Sequence, residues 1–272
     1  MELNIYHLYP DVLNLYGDRG NVLCMQRRLE WRGMQANIVP VPIGVKLAAK
    51  DCDLLFIGGG QDFEQEILMH DLKGEKTAEL KAAIEDGVPV LAICGGYQMM
   101  GEQVSDPDGV EAGGTLRGMG LLPVSTVFSE EKTRTRMRGR VLHLPEVLPG
   151  HTEDGAAAEA LPEVSGYEIH MGTSVLAEGA APFLRLSDGR EDGCVSDDGL
   201  ACGTYLHGIF DEGETAERLL TWLRQKKGIR LEAPELSRTQ IKEQEYDRLA
   251  DLLRRSVDME AIYMILEKGI DA

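Results

Sequence analysis

No run of eighteen apolar residues occurs anywhere in the 272-residue chain, which argues against a membrane-spanning helix. The amino terminus lacks a basic stretch followed by an apolar one. It alternates apolar and polar residues and reaches Asp11 early, unlike a secretory signal. Cations are scarce: 28 lysines and arginines stand against 46 aspartates and glutamates, a formal net charge of −18. A phosphate backbone would be met by a basic face, so no nucleic-acid partner is expected. The five cysteines (Cys24, Cys52, Cys94, Cys194, Cys202) are odd in number and form no CxxC pair. That pattern suggests neither a disulfide framework nor a zinc site; no metal is expected, and the chain fits a reducing cytoplasm.

What is there describes a globular chain, 43% hydrophobic and 27% charged, of a length for one large α/β domain with or without an appendage. Leu3 to Tyr9 reads as a first strand, and Gly17-Asp18-Arg19-Gly20-Asn21 as a loop opening a helix that runs to about Gly33. Ala36 to Val41 suits a second strand and Asp53 to Ile57 a third, ending in Gly58-Gly59-Gly60. A helical stretch from about Asp71 to Asp86 precedes Val88 to Ile93, whose length and flanks favour a buried parallel strand. Such alternation predicts an α/β fold with a mostly parallel central sheet and helices on both faces. From Gly109 to Gly166 the chain is rich in glycine, proline and charge, with strand-like pieces at Leu121 to Phe128 and Arg138 to Leu144. The basic cluster from Lys132 to Arg140 reads as a solvated loop, and Glu153 to Glu163 as a surface loop or insertion. Strands follow at Gly166 to Gly172, Pro182 to Leu186 and Ala201 to Leu206. Helices follow at Glu214 to Lys227 and from about Thr239 onward.

The sharpest local signal is Val90-Leu91-Ala92-Ile93-Cys94-Gly95-Gly96-Tyr97-Gln98. It sets a nucleophile-capable residue at a strand-to-helix corner, with small Ala92 and Gly96 two residues to either side. A nucleophile elbow turns too tightly for larger neighbours, and a helix start favours the thiolate. The bland alternative is an inert core cysteine, the reading given to Cys24 and Cys52. A cysteine nucleophile needs a base within hydrogen-bond reach. His207, in Gly203-Thr204-Tyr205-Leu206-His207-Gly208, ends an apolar strand where an open α/β sheet places its sites. A hydrogen-bonded core histidine is the competing reading, and His7, His70, His143, His151 and His170 compete for the role. Amide hydrolysis creates a negative tetrahedral oxygen; the amides of Gly95 and Gly59 are the candidate oxyanion-hole donors. The glycine turn at 58–60 could equally cradle phosphate, but neither the P-loop pattern nor the GxGxxG spacing is present.

The segments Leu91 to Gln98 and Gly203 to Gly208 together resemble the CobB/CobQ-type branch of class I glutamine amidotransferases, over nearly the whole chain. The resemblance implies a class I glutamine amidotransferase fold over residues 1–228, followed by a helical extension over 229–272. It implies that Cys94 attacks the L-glutamine carboxamide, that His207 serves as base, and that Gln98 lies in the glutamine pocket. The segment Gly166 to Gly172, with His170, is placed near that pocket. Many class I members carry a glutamate two residues after the histidine; here Ile209 stands there, as is common in this branch.

The N-terminal segments Ile5 to Asp11, Asn14 to Asn21 and Phe56 to Glu66 are similar to GatD, the glutaminase subunit of lipid II isoglutaminyl synthase. That likeness implies a MurT-like ligase partner carrying ATP and Mg, no cofactor in this chain, and Arg136 as a glutamine-holding residue. Tyr167 to Gly172 and Lys242 to Asp251 are more similar to the end of cobyric acid synthase, which amidates corrinoid carboxylates. Such an enzyme has an ATP-binding domain before its amidotransferase domain, and no room for one is expected ahead of Leu3.

Overall fold

The computed structural model describes residues 2–14, 16–60, 62–72, 74–110, 113–143, 161–212, 214–229 and 238–269. Its elements are β1 (Glu2–Leu8), α1 (Arg19–Glu30), β2 (Gln35–Val41), β3 (Leu54–Ile57), α2 (Asp62–Leu72), α3 (Glu75–Glu85), β4 (Val90–Ile93) and α4 (Gly95–Met100). They continue as β5 (Gln103–Asp106), β6 (Gly114–Arg117), β7 (Val124–Val141), β8 (Glu163–Leu176), β9 (Leu184–Leu186), β10 (Glu191–Asp192) and β11 (Cys194–Val195). The last are β12 (Ala201–Thr204), β13 (Leu206–His207), α5 (Thr215–Lys226), α6 (Arg238–Ser256) and α7 (Met259–Lys268).

A six-stranded sheet in the order β11-β12-β4-β3-β1-β2 carries the core. All its pairings are parallel except β11 with β12. Parallel strands need helical crossovers, which cover both faces, so β3 and β4 read as unbroken apolar runs and are buried at every residue. Fully burying side chains such as Phe56 or Ile93 contributes about 1.5–3 kcal/mol each. The helix expected over about Asp71 to Asp86 is α3, and an unanticipated α2 precedes it, with Gly74 at positive φ between the two.

A second sheet was not anticipated. It runs β10-β9-β7-β5-β6, with β8 pairing β7 and β13 pairing β8. Its spine is the antiparallel pair β7–β8, with the register shifting between Phe128 and Thr133. The cluster from Lys132 to Arg140, read above as a solvated loop, is therefore strand: its backbone is paired to β8 while alternate side chains face solvent. The alanine- and acid-rich stretch from Glu153 lies outside the described residues up to 160. By compactness the chain divides into Met1–Arg230 and Leu231–Ala272; the described part of the second unit is α6 and α7.

Candidate active site

Cys94 follows β4 at φ +50°, ψ −111°, one of only two non-glycine residues at positive φ among those described. An L-residue held there is strained, and the surroundings hold it. The Cys94 N–H donates to Thr204 O at 2.8 Å and Gly96 N–H to Gly58 O at 3.1 Å. A Cβ on Gly96 would lie 2.7 Å from both Gly58 O and Ile57 Cγ2, so only glycine permits this corner. The expected elbow is thus formed by β4, its neighbour β12, and the turn after β3. The helix behind it, α4, is six residues long, which limits what its dipole adds at the sulfur.

His207 is fully buried at the end of β13. Its Nδ1 lies 2.9 Å from Asp18 Oδ1, and the other carboxylate oxygen of Asp18 accepts the Gly59 N–H at 2.7 Å. A carboxylate accepts, so Nδ1 carries the proton and Nε2 is left with the basic lone pair. That Nε2 is buried and makes no hydrogen bond among the described residues. Tyr167 stacks on the imidazole at 5.3 Å and 13°, and Tyr16 meets its edge at 5.3 Å. The Tyr167 hydroxyl donates to the Tyr16 carbonyl, tying both rings together. Burial and the nearby Asp18 charge raise the Tyr167 phenol, keeping it a neutral donor.

Cys94 and His207 meet beside Gly59. A Cβ built there would sit 3.0 Å from Cys94 Cβ, 3.2 Å from His207 Cε1 and 3.1 Å from Asp18 Oδ2. Gly59 therefore leaves the space in which the Cys94 and His207 side chains approach, and its amide is engaged with Asp18. The Gly59 N–H, expected as an oxyanion donor, instead donates to the Asp18 carboxylate that holds the His207 imidazole. The Cys94 Sγ lies 3.7 Å from Ile169 O of β8, so the second sheet closes the far side.

Nothing in the sequence pattern singles out Asp18. It precedes α1, where aspartate usually caps a helix, yet its side chain makes no cap hydrogen bond. The diverted cap is the only local trace of its role. Behind it, α1 also positions the chain after His207: Arg28 is buried, donates to Phe210 O at 3.0 Å and pairs with Glu217 of α5 at 2.6 Å. Of the competing histidines, His7 is sealed under Phe56, where burial lowers its imidazole to about 4.

A family model for the CobB/CobQ-like glutamine amidotransferase domain matches residues 4–215. The chain belongs to this family. Cobyric acid synthase of Klebsiella pneumoniae (strain 342) is 39% identical over 230 residues, which are 81% of this chain and 42% of that protein. The cobyric acid synthase of Clostridium acetobutylicum is 38% identical over 217 residues, 79% of this chain and 40% of that one. The chain thus spans less than half the length of these curated relatives. A chain of the PurLQS structure from Thermotoga maritima matches with a TM-score of 0.55 at 17% identity, over 83% of this chain and 99% of its own. That likeness is one of fold: a class I glutamine amidotransferase fold with helices on both faces of the sheet.

The other expected residues of this amidotransferase are placed as follows. Gln98 of α4 is buried and donates from Nε2 to Tyr205 OH at 3.2 Å. Tyr205 OH lies 2.9 Å from Ser174 Oγ, which is 2.8 Å from Thr126 Oγ1. His170 stacks on Tyr205 at 3.9 Å, its Nδ1 2.8 Å from Gly172 O and its Nε2 3.6 Å from Glu168 Oε1. Glu168 is buried and takes both Arg190 Nη atoms, at 3.2 and 2.8 Å. Burial alone would raise its carboxyl, but the nearby His170 imidazole and the hydrogen bonds from Arg190 hold it below the usual value. Burial pushes the neighbouring Asp192 carboxyl up, against hydrogen bonds from Thr204 and the Tyr205 N–H. Gln98 and His170 are thus joined through Tyr205 in one inner wall. Arg136 is exposed on β7, directly opposite Tyr167. Among the described residues no group of three or more His, Cys, Asp or Glu could hold a metal ion, and no helix is long and apolar enough to cross a membrane.

Proposed function

We propose that the chain hydrolyses L-glutamine through a Cys94 thioester and supplies the ammonia to an ATP-dependent ligase. The observation that carries this reading is the Asp18–His207 contact through Nδ1, with Cys94 Cβ and His207 Cε1 both beside Gly59 and Nε2 left without a hydrogen bond among the described residues. His207 Nε2 takes the thiol proton and Cys94 Sγ attacks the side-chain carbonyl carbon of glutamine. The tetrahedral oxygen is stabilised by the Gly95 amide. Collapse breaks the C–N bond, His207 returns the proton to the leaving nitrogen, and ammonia departs. Water, deprotonated by His207, then cleaves the thioester to glutamate and restores the thiol. Asp18 holds the tautomer and stabilises the imidazolium. Arg136 pairs with the α-carboxylate of glutamine, and the Gln98–Tyr205–His170 wall shapes the pocket.

For the acceptor, the first reading is a MurT-like ligase, with ATP and Mg on that partner, that amidates the D-glutamate of lipid II. Its support is the GatD-like segment Asn14 to Asn21, the same loop that brings Asp18 to the base. The second reading is a corrinoid carboxylate, supported by the likeness to cobyric acid synthases at 38–39% identity. The test is glutamate release by wild type and Cys94→Ala, each alone, with a MurT-like protein, and with the ATP-binding part of a cobyric acid synthase. Cys94-dependent release raised by the MurT-like protein supports the first acceptor, and release raised only by the corrinoid enzyme part supports the second. Release that survives Cys94→Ala overturns the hydrolytic assignment.

A further inference from the structure

The scarcity of cations makes their arrangement on β7 conspicuous. Arg134, Arg136, Arg138 and Arg140 occupy alternate positions of one strand, all exposed, with Lys132 just before them. None of the four guanidinium groups has an ion pair or hydrogen bond among the described residues. Alternate residues of a strand share a face and stand about 6.8 Å apart, so Lys132 to Arg140 extend about 27 Å. Arg140 stands directly opposite Glu163 of β8 on one side and Arg185 of β9 on the other. Arg185 is itself paired with Glu191 at 2.5 Å.

Register ties this row to the active site. Arg136 lies opposite Tyr167, and Tyr167 lies opposite His207, so the three share one sheet face across adjacent strands. Arg134 lies opposite Ile169, whose carbonyl faces the Cys94 sulfur. At the far end a cavity of about 610 Å³ is lined by Arg138, Arg140 and Arg185 together with Glu163 and Glu212. Two carboxylates there would repel a phosphate, whereas mixed charges suit a protein surface.

We propose that Arg134, Arg138 and Arg140 of β7, to either side of the glutamine-holding Arg136, form the docking face for an acidic surface of the ammonia-accepting ligase. This rests on the glutaminase reading above. A row about 27 Å long matches a protein interface rather than a small anion. Seating the ligase here places it over the sheet face that Arg136, Tyr167 and His207 share, so that ammonia can pass without mixing into bulk water. The acidity of the rest of the chain repels the same surface elsewhere and so fixes the orientation.

The test compares the full chain with Arg138→Glu/Arg140→Glu and with a charge-matched control, Lys81→Glu/Arg117→Glu, both control positions being exposed and off the row. Binding to a MurT-like ligase and to the ATP-binding part of a cobyric acid synthase is measured by fluorescence titration at about 0.05 and about 0.5 M salt. Poly-L-glutamate and inorganic pyrophosphate serve as competitors. Glutamate release without partner is measured on each protein. The expected result is at least about tenfold weaker binding of one ligase by the row variant, with wild-type binding weakened by salt. Poly-L-glutamate competes, and the control and the partner-free activities are unchanged. The inference is overturned if the row variant binds like wild type, or if wild type binds neither ligase. It is overturned equally if pyrophosphate competes better than poly-L-glutamate, or if the row variant loses only self-association. Glutamate release that survives Cys94→Ala sinks the underlying glutaminase reading instead, whatever the binding data.

Discussion

The two sheets of this amidotransferase contribute to one site in different ways. The parallel sheet delivers Cys94 by local means: a buried apolar strand, a strained corner, and small residues where the backbone closes up. The antiparallel sheet delivers His207, Tyr167 and the Ile169 carbonyl by long-range register. The third member of the base system, Asp18, comes from a loop before α1, 189 residues from His207. The Cys94 corner is spelled by neighbouring residues, although β12 and the turn after β3 hold it, whereas the partners of His207 all come from distant segments.

The largest expected effect removes the parallel sheet's contribution. Cys94→Ala lowers glutamate release by about 10⁴-fold or more, read in a coupled glutamate assay, while the fold persists by circular dichroism. Asp18→Asn leaves the packing and deletes the long-range support of the base. It lowers kcat by about 10²–10⁴-fold with little change in KM. Gly59→Ala strikes where the two sheets meet. Its Cβ would sit 3.0 Å from Cys94 Cβ and 3.2 Å from His207 Cε1, so it costs about 1–3 kcal/mol of stability and about 10–100-fold in activity. Urea denaturation and kinetics of the same protein separate the two.

The smallest effect concerns the antiparallel sheet alone. The Glu168 carboxyl is held below its ordinary value of 4.5 in the fold. A depressed folded value means its contribution is complete above the unfolded value and lost as pH falls through the folded one. Glu168→Gln is therefore less stable at neutral pH by about 1–3 kcal/mol. Below about pH 4.5 the wild type loses stability more steeply than the variant, read from urea midpoints across that range.

The same contrast governs what could be read from the sequence. The parallel half was legible because its strands are short apolar runs and its turns carry glycine. The elbow at Cys94 and the strand ending at His207 were legible for the same local reasons. Strand β7 was legible only at its ends, in the strand-like pieces Leu121 to Phe128 and Arg138 to Leu144; in between, alternating arginine with threonine, methionine and glycine offers no apolar face, although the period of two was present. On β8 the inward positions include buried Glu168, which is paired with Arg190, and half-buried His170 beside it, so hydropathy does not mark that face. Asp18 sat in plain view as an apparent helix cap. Only the fold shows that its carboxylate is committed to His207 and Gly59. The Gly59 amide donates to Asp18 instead, because sequence does not reveal which acceptor reaches it.

The proposed chemistry depends on Asp18 holding His207 as the base for Cys94. The most direct measurement is the pH dependence of Cys94 alkylation by iodoacetamide, in wild type and Asp18→Asn, read by mass spectrometry of the Cys94 peptide. Removing the carboxylate disfavours the imidazolium that accompanies the thiolate, so the account predicts that the variant's profile moves to higher pH and that its rate near neutrality falls. Superimposable profiles would contradict it.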